Sequence, residues 1–336
     1  MAVWQRAGLR TALALGALRE RSQRRDGQVM DRHQAALLRL VARLQRAAPP
    51  PGAAPDVAAM RAQYRAAPAL TGPIPDRRVR VETVDAGGVP ARRYLPPGGG
   101  RGTLVWFHGG GFIMGDLDTH DPLCRALAAG ADRRVLSAAY RLAPEHPFPT
   151  AVDDALRAWR WAVAHEPGPH LVGGDSAGGN LAAVVAQAAR SAPEHAGSAR
   201  PAAPAPAFHA LLYPVVDMLG EWRSVSLFGQ GYLLTEEGLQ ACAALYIPPG
   251  TDRGDPRLSP LRGDLAGLCP ALVVTAGFDP LRDQGPAYAA ALRAAGVPAA
   301  EWCETGLLHG FADVAGVVPR ARRAVARFAR HLREAV

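Results

Sequence analysis

Short, mostly apolar segments alternate along most of the chain with longer stretches whose apolar residues recur at helical spacing. The predicted strands cover residues 104–107, 135–139, 170–172, 210–213, 271–276 and 297–302, and the predicted helices cover 151–165, 181–190 and 319–333. Strands that alternate with helices are typical of a mostly parallel sheet with helices on its faces. The fold class expected from the pattern is therefore α/β.

Two helices and a hairpin are predicted before the first of these strands. Apolar residues at Leu37, Leu40, Val41 and Leu44 fall on one helical face, and three prolines at 49–51 stop that helix. The other predictions in this part of the chain are a helix over residues 56–66 and a hairpin of strands at 79–84 and 91–95, connected through Gly87 and Gly88.

Two segments interrupt the strand and helix alternation. Residues 191–206 are rich in proline and alanine, which predicts a surface loop. Residues 214–258 leave the strand pattern, which resumes only at residue 271, and they include a predicted helix over 236–246. The second segment is long enough to form a separate structural layer.

Residues 174–178 have the sequence Gly-Asp-Ser-Ala-Gly, between a predicted strand and a predicted helix. A serine hydroxyl is a weak nucleophile unless the backbone presents it on a sharp strand-to-helix turn, and flanking glycines leave room for that turn. The motif predicts Ser176 as a nucleophile, with a structural turn as the alternative.

His108 is followed by Gly109, Gly110 and Gly111 at the end of another predicted strand. Acyl transfer builds negative charge on a carbonyl oxygen, and backbone amides of glycines can approach that oxygen closely. An ordinary glycine-rich turn is the alternative, but the serine motif downstream favours an oxyanion loop. His108 itself is expected to brace the loop.

A histidine and an acid follow the serine in the order that this kind of triad uses. Asp279 comes directly after the predicted strand 271–276, and His309 follows the next strand unit. The carboxyl ends of parallel strands carry catalytic groups in open α/β sheets. His309 is therefore the predicted base and Asp279 the acid that orients it, with Asp283 as a rival one helical turn further on. Asp175 is expected to satisfy backbone groups near the serine.

These motifs together resemble the GDSAG branch of the hormone-sensitive-lipase family of α/β-hydrolases. The matching segments are residues 108–115, 140–149, 174–179, 279–283 and 309–311, in family order. The resemblance implies an α/β-hydrolase fold with a helical cap, and oxyanion amides chiefly from Gly110, Gly111 and Ala177. Gln284 departs from the acidic residue usual in the family, outside the chemistry. Residues 140–149, with three prolines, are expected to be a rigid connection.

The resemblance also implies a division of the chain. Residues 1–70 and 214–258 are assigned to the cap, and residues 71–213 and 259–336 to the catalytic domain. Four large apolar side chains of the cap are candidate pocket walls, although packing within the cap is an equally good interpretation. They are Trp222, Phe228, Tyr232 and Leu233.

The implied function is a serine carboxylesterase that hydrolyses short- to medium-chain acyl esters through an acyl-enzyme, without a cofactor. An amide or carbamate hydrolase or a deacetylase would use the same residues. A non-catalytic small-molecule receptor is a further alternative, but receptors of this family lose the histidine, and His309 is present. The histidines lack metal-ligand spacing, so no metal site is expected.

Charge and cysteine content narrow the remaining choices. The net charge is +8, all of the basic residues are arginine, and the excess of arginine over acidic residues lies at residues 1–50 and 319–336. Because this charge is not interleaved with aromatic residues on one face, nucleic-acid binding is not expected. Four scattered cysteines favour free thiols and a cytoplasmic location, and no apolar run is long enough for a stable membrane span. A homodimer is compatible with the sequence.

Residues 1–25 carry arginines on both sides of a short apolar segment, which makes a poor signal peptide. The interpretation is an exposed basic lead-in, with regular organisation from Asp31. Translation starting at Met30 is a hypothesis that the intact mass of the native protein would decide.

Overall fold

The computed structural model describes residues 2–20, 23–45, 56–190 and 204–336. Most of the predicted loop at 191–206 therefore lies outside the described residues. The strands are β1 (Arg24–Arg25), β2 (Gln28–Val29), β3 (Arg80–Asp85), β4 (Pro90–Leu95), β5 (Thr103–Phe107), β6 (Arg134–Ala138), β7 (His170–Asp175), β8 (Phe208–Leu212), β9 (Ala271–Phe278) and β10 (Ala299–Leu308).

Helices pack on both faces of the main sheet, and the first four of them precede its first strand in the chain. The helices are α1 (Ala2–Arg19), α2 (Arg32–Gln45), α3 (Val57–Ala66), α4 (Pro68–Thr71), α5 (Asp121–Ala131), α6 (Thr150–His165), α7 (Ala177–Arg190), α8 (Arg223–Phe228), α9 (Glu236–Tyr246), α10 (Gln284–Ala294) and α11 (Pro319–Glu334). Among the described residues, no helix combines the length and apolar character needed to cross a bilayer.

Eight strands form one sheet in the order β10-β9-β8-β7-β5-β6-β4-β3. The six strands from β10 to β6 pair in parallel, and β4 pairs antiparallel with both β6 and β3. The predicted mostly parallel sheet and the hairpin of β3 and β4 are thus confirmed. All five residues of β5 are buried, as expected for a strand that is covered on both faces.

Each face of the sheet has its own hydrophobic core. Val105 and Phe107 of β5 point into the core that contains α6, α7 and α10, whereas Leu104 and Trp106 point into the core that contains α5 and α11. This division follows from the two-residue period of a strand, which sends successive side chains to opposite faces. Because these strands are parallel, their carboxyl ends all lie at the same edge of the sheet, between the two cores.

The N-terminal residues pack against the rest of the chain, which corrects the expectation of an exposed lead-in. Leu13 of α1 is buried, and the guanidinium of Arg6 donates to the carbonyl oxygens of Pro68 and Ala69. The segment contains few strongly apolar residues, so its sequence alone does not distinguish a docked helix from a lead-in.

The second helix supports the end of β10 directly. Gln34 of α2 is buried, and its Oε1 accepts a hydrogen bond of 3.1 Å from the amide of Leu308. The amide of Asp31 donates to the carbonyl of Gly306 at 2.9 Å. The N-terminal helices therefore contact the last residues before His309.

Candidate active site

Three side chains meet where β7, β9 and β10 end. Ser176 follows β7, Asp279 follows β9, and His309 follows β10. His309 Nε2 lies 2.9 Å from Ser176 Oγ, and His309 Nδ1 lies 2.7 Å from Asp279 Oδ2. The structure thus brings together the three residues that the motifs single out, in a continuous chain of hydrogen bonds.

The backbone at the serine is strained in the way that a nucleophile elbow requires. Ser176 has φ of 54°, a left-handed conformation that is costly for a non-glycine residue. The close packing of the turn excludes larger residues on both sides: a Cβ at Gly178 would overlap the carbonyl of Phe107, and one at Gly174 would overlap that of Gly178. The hydroxyl therefore projects from a turn that the surrounding backbone enforces.

Asp279 is fully buried and held in place by its own turn. Its Oδ1 accepts a hydrogen bond of 2.8 Å from the amide of Leu281, which leaves Oδ2 for His309. The rival acid, Asp283, points elsewhere: its Oδ2 accepts from the amide of Ser224 and its Oδ1 contacts Arg282. Geometry therefore favours Asp279 as the partner of the histidine.

Two glycines of the loop after β5 lie at the cavity beside Ser176. Gly110 and Gly111 have φ of 121° and 61°, and both line the cavity at Ser176. Within the described chain, the amides of these glycines and of Ala177 donate no hydrogen bond. Unpaired backbone donors beside a nucleophile can stabilise an oxyanion.

Gly109 does not share this arrangement, which corrects its inclusion among the oxyanion donors. Its amide faces His120 Nε2 at 3.3 Å, and the residue is not part of the cavity wall. Gly110 has φ of 121°, so the chain turns sharply there. The amide of Gly109, which precedes this turn, therefore faces His120 rather than the cavity.

Side chains from two other parts of the fold hold the glycine loop in place. Tyr140 Oη donates to the carbonyl of His108 at 2.7 Å, and the two rings stack with centroids 4.3 Å apart. Burial lowers the pKa of His108 to about 4, and the nearby His120 acts in the same direction, so His108 is neutral near pH 7. From α3, Arg61 donates to the carbonyl of Ile113 at 2.8 Å.

A cavity of about 410 Å³ lies over Ser176 and His309. Its wall is mostly apolar and comes from three parts of the chain. One part is the N-terminal segment, with Leu37, Val41, Tyr64, Ala67 and Thr71, and another follows β8, with Val215, Met218, Leu233, Leu234, Leu239, Cys242, Ala243 and Tyr246. The third part is the sheet edge itself, including Tyr213, Leu281, Asp313 and Val314.

Of the four predicted pocket residues, only Leu233 lies in this wall. Phe228 is fully buried and packs on Phe278 and Tyr232, with ring centroids 5.5 and 5.6 Å apart, so both aromatic residues stabilise packing outside the cavity. Trp222 precedes α8 and is likewise absent from the cavity wall. Large aromatic residues are drawn to buried packing wherever it is available, so residue type alone was a poor guide.

A polar cluster behind Ser176 was missed by the sequence analysis. His120 Nε2 lies 3.3 Å from Asp175 Oδ2, His120 Nδ1 lies 2.9 Å from Thr119 Oγ1, and Tyr64 Oη donates to Asp313 Oδ2 at 3.1 Å. Asp175 thus pairs with a side chain rather than with backbone groups near the serine. The only signals in the sequence were its place beside Ser176 and the four-residue spacing from His309 to Asp313.

The charges of this cluster depend on one another. Burial alone would lower the pKa of His120, but the Asp175 carboxylate outweighs it and raises that pKa to about 9. Desolvation raises the pKa of Asp313 to about 6, against the opposing effect of His120. At pH 7 His120 is therefore an imidazolium, and the Asp313 carboxyl is largely ionised.

The same cluster is the part of the described chain where a metal ion would find His and Asp ligands together. One ligand atom each from His120, Asp175 and Asp313 lies within 4.8 Å of the others. These side chains already engage each other and Tyr64, so ion pairing and hydrogen bonding account for their proximity. The expectation that the protein uses no metal stays a prediction.

Comparison with known proteins agrees with this geometry. A family model described as alpha/beta hydrolase fold matches residues 104–313. The chain is 46% identical over 275 residues to the carboxylic ester hydrolase LipN of Mycobacterium tuberculosis, covering 77% of this chain and 71% of that protein. It is 38% identical over 291 residues to the carboxylesterase NlhH of the same species, covering 82% and 88%.

A solved structure of a similar ester hydrolase shares most of this fold. The ester hydrolase EH1AB1 from the metagenome of Lake Arreo, in complex with a bipyridine phosphonate derivative, superposes with a TM-score of 0.81 at 37% identity. The match covers 90% of this chain and 97% of that protein. The chain belongs to the hormone-sensitive-lipase-like family of α/β-hydrolase ester hydrolases.

Proposed function

We propose that the protein is a serine carboxylesterase in which Ser176, His309 and Asp279 carry the reaction. The observation that supports this most directly is the unbroken series of hydrogen bonds from Asp279 through His309 to Ser176, at 2.7 and 2.9 Å. The family of ester hydrolases to which the chain belongs is consistent with this role.

Acylation begins when Ser176 Oγ attacks the ester carbonyl carbon and His309 Nε2 takes the hydroxyl proton. Negative charge that develops on the carbonyl oxygen is stabilised by the amides of Gly110, Gly111 and Ala177. Asp279 stabilises the imidazolium and keeps Nδ1 protonated. The intermediate then collapses, the carbon–oxygen bond to the alcohol breaks, and His309 returns the proton to the leaving oxygen.

Deacylation repeats these steps with water in place of the alcohol. His309 Nε2 removes a proton from water as the water oxygen attacks the acyl carbon, and the same amides hold the oxyanion. The bond to Ser176 Oγ then breaks, the serine regains its proton from His309, and the carboxylic acid leaves. No cofactor takes part in these steps.

We assign residues 1–70 and 214–258 to a cap and residues 71–213 and 259–336 to the catalytic domain. Both cap segments supply side chains to the cavity over Ser176, which supports the division. A mostly apolar cavity of about 410 Å³ suits acyl chains of short to medium length rather than long ones. Initial rates on p-nitrophenyl esters from acetyl to palmitoyl test this range, and a maximum at palmitoyl would contradict it.

The decisive test is Ser176→Ala. Removing the nucleophile is expected to lower kcat by about four to six orders of magnitude while the fold persists. Ser226→Ala is the matched control, because Ser226 is an exposed serine of α8 outside the cavity wall. Labelling by a fluorophosphonate probe should disappear in Ser176→Ala and persist in the control. Near-normal turnover by purified Ser176→Ala would refute the mechanism.

Several expectations about the surroundings of the enzyme stay predictions. A cytoplasmic location is still proposed from the four cysteines, each of which is a free thiol. A homodimer and the absence of nucleic-acid binding are also carried forward. Cell fractionation would test the location, and multi-angle light scattering would test the homodimer through its mass. A gel-shift assay would test nucleic-acid binding.

A further inference from the structure

The cavity carries a charge opposite to that of the protein as a whole. The chain has a net charge of +8, yet the residues that line the cavity in the described part of the chain include Asp175 and Asp313 and no arginine. Carboxylates in a mostly apolar enclosure exert a stronger field than they would at the open surface, because little water screens them. A bound molecule therefore experiences a negative potential at one side of an otherwise apolar cavity.

Asp313 is the acidic group that a ligand can touch. Its Oδ2 accepts from Tyr64 Oη at 3.1 Å, and Thr71 Oγ1 fixes the backbone by donating to the carbonyl of Asp313 at 3.0 Å. Oδ1 accepts no hydrogen bond from the described residues, and the side chain is only partly buried. One carboxylate oxygen of Asp313 is thus held in place and available.

The positive charge nearby does not balance both carboxylates. His120 forms the ion pair with Asp175 at 3.3 Å, while in the described chain neither carboxylate forms an ion pair with an arginine. The groups that face Asp313 are Tyr64 of α3, Asp175 of β7, His120 and His309. Because His309 is engaged with Asp279, the cluster keeps an excess negative charge when Asp313 is ionised.

The position of Asp313 relates it to one part of an ester. It lies one turn beyond His309, in the short 3₁₀ helix Phe311–Val314. In the proposed reaction His309 Nε2 must reach the leaving oxygen to protonate it, so groups beside His309 lie closest to the alcohol portion.

We propose that Asp313 is a specificity-determining residue that binds a positively charged ammonium group on the alcohol portion of the ester. This inference rests on the proposed esterase function and adds a substrate class to it. The ammonium group supplies the cation that the cluster lacks, and its N–H donates to Asp313 Oδ1. Esters of amino alcohols are thus favoured over uncharged esters of the same shape.

The test compares two acetates that differ only in this charge. 2-(Dimethylamino)ethyl acetate is protonated at pH 7, and 3-methylbutyl acetate is its uncharged isostere. The ratio of their kcat/KM values is measured for the wild type and for Asp313→Asn. A charge-assisted hydrogen bond of ordinary strength predicts that the ratio falls about tenfold in the variant. A general loss of activity cancels in the ratio.

Asp264→Asn is the matched control, because Asp264 is a largely exposed aspartate paired with Arg190 outside the cavity. The ratio in this variant should equal that of the wild type. An unchanged ratio in Asp313→Asn, or an equal fall in both variants, would overturn the proposal. Neither outcome touches the proposed function, which fails only if Ser176→Ala still hydrolyses both esters.

A measurement on the wild type covers the case in which Asp313→Asn does not fold. 2-(Dimethylamino)ethanol and 3-methyl-1-butanol are compared as competitive inhibitors of p-nitrophenyl acetate hydrolysis between pH 5 and 7.5. The amine remains protonated, whereas Asp313, whose pKa is raised to about 6, ionises across this range. The preference for the amino alcohol should increase about tenfold with pH. A preference that is absent at both ends of the range would refute the proposal.

Discussion

Two sides of the cavity over Ser176 offer different kinds of contact to a bound molecule. The side that follows β8 offers aliphatic and aromatic surface from Met218, Leu239 and Tyr246. The side formed by the N-terminal segment places the Tyr64 hydroxyl and the Asp313 carboxylate near Leu37 and Val41 of α2. The first side stabilises a ligand in proportion to buried area, and the second does so through directional, pH-dependent bonds.

This difference explains how one cavity can be tolerant and selective at once. Apolar surface accepts any acyl chain that fits and changes affinity gradually with each methylene. A half-buried carboxylate instead discriminates by charge, because an unpaired group there costs more than at the surface. Substitutions on the two sides should therefore differ in their signature as well as in their size.

The largest effect is expected where the apolar side meets the oxyanion loop. A methyl group at Gly111 would come within 2.6 Å of Cys242 Sγ, and φ of 61° is unfavourable for alanine. Gly111→Ala should lower kcat by about 10² to 10³, as expected when an oxyanion donor is displaced. Steady-state kinetics on p-nitrophenyl acetate measure the loss.

Two comparisons separate the contact from the backbone strain. Gly98→Ala introduces the same kind of strain at φ of 88° with open space around it, and should leave kcat within about twofold. Gly111→Ala combined with Cys242→Ala should recover part of the loss relative to Cys242→Ala alone. Full activity of Gly111→Ala would contradict the prediction, because it would show that the added methyl group does not displace the amide from its position at Ser176.

A smaller effect is expected from filling the apolar side. Leu239→Trp should lower kcat/KM for p-nitrophenyl hexanoate about tenfold relative to the acetate, because roughly two methylenes lose their contact surface. Leu219→Trp is the control, since Leu219 lies in the same segment, residues 214–258, with 53% of its surface exposed. An equal loss for both esters would show that Leu239 does not contact the acyl chain.

The smallest effect concerns the hydroxyl of Tyr64. Its hydrogen bond lowers the pKa of Asp313, so Tyr64→Phe should raise that pKa above about 6. Less Asp313 is then ionised at pH 6, and the preference for the ammonium ester should shift to higher pH while persisting at pH 8. Tyr232→Phe, outside the cavity wall, is the control. If the midpoint of the pH dependence of this preference shifted to lower pH in Tyr64→Phe, the assignment of the preference to Asp313 would be contradicted.

Much of the catalytic framework was predictable from the sequence. Ser176, Asp279 and His309 each follow an apolar strand, and parallel strands place their carboxyl ends at one edge of the sheet. The glycines around Ser176 marked a turn that only glycine permits. Local patterns sufficed here because each of these residues comes directly after an apolar strand, and the parallel direction of the strands decides where that strand ends.

The cavity wall depends on how separate segments dock, which local patterns do not encode. Helix α9 was predicted with its observed bounds, but not which of its residues would face the cavity. Phe228 satisfied its need for burial against Phe278 instead of lining the cavity. Asp313 and His120 are distant in sequence and share a cluster only because the strand ends converge.

The hydrogen bond from the amide of Leu308 to Gln34 links α2, which contributes Leu37 and Val41 to the cavity wall, to the residue beside His309. Replacing α2 by the corresponding helix of a relative would also replace a support of the residue adjoining His309. Helix α2 therefore cannot be exchanged without also changing the contacts beside His309. New selectivity in this scaffold is more accessible through single changes in the walls than through exchange of whole segments.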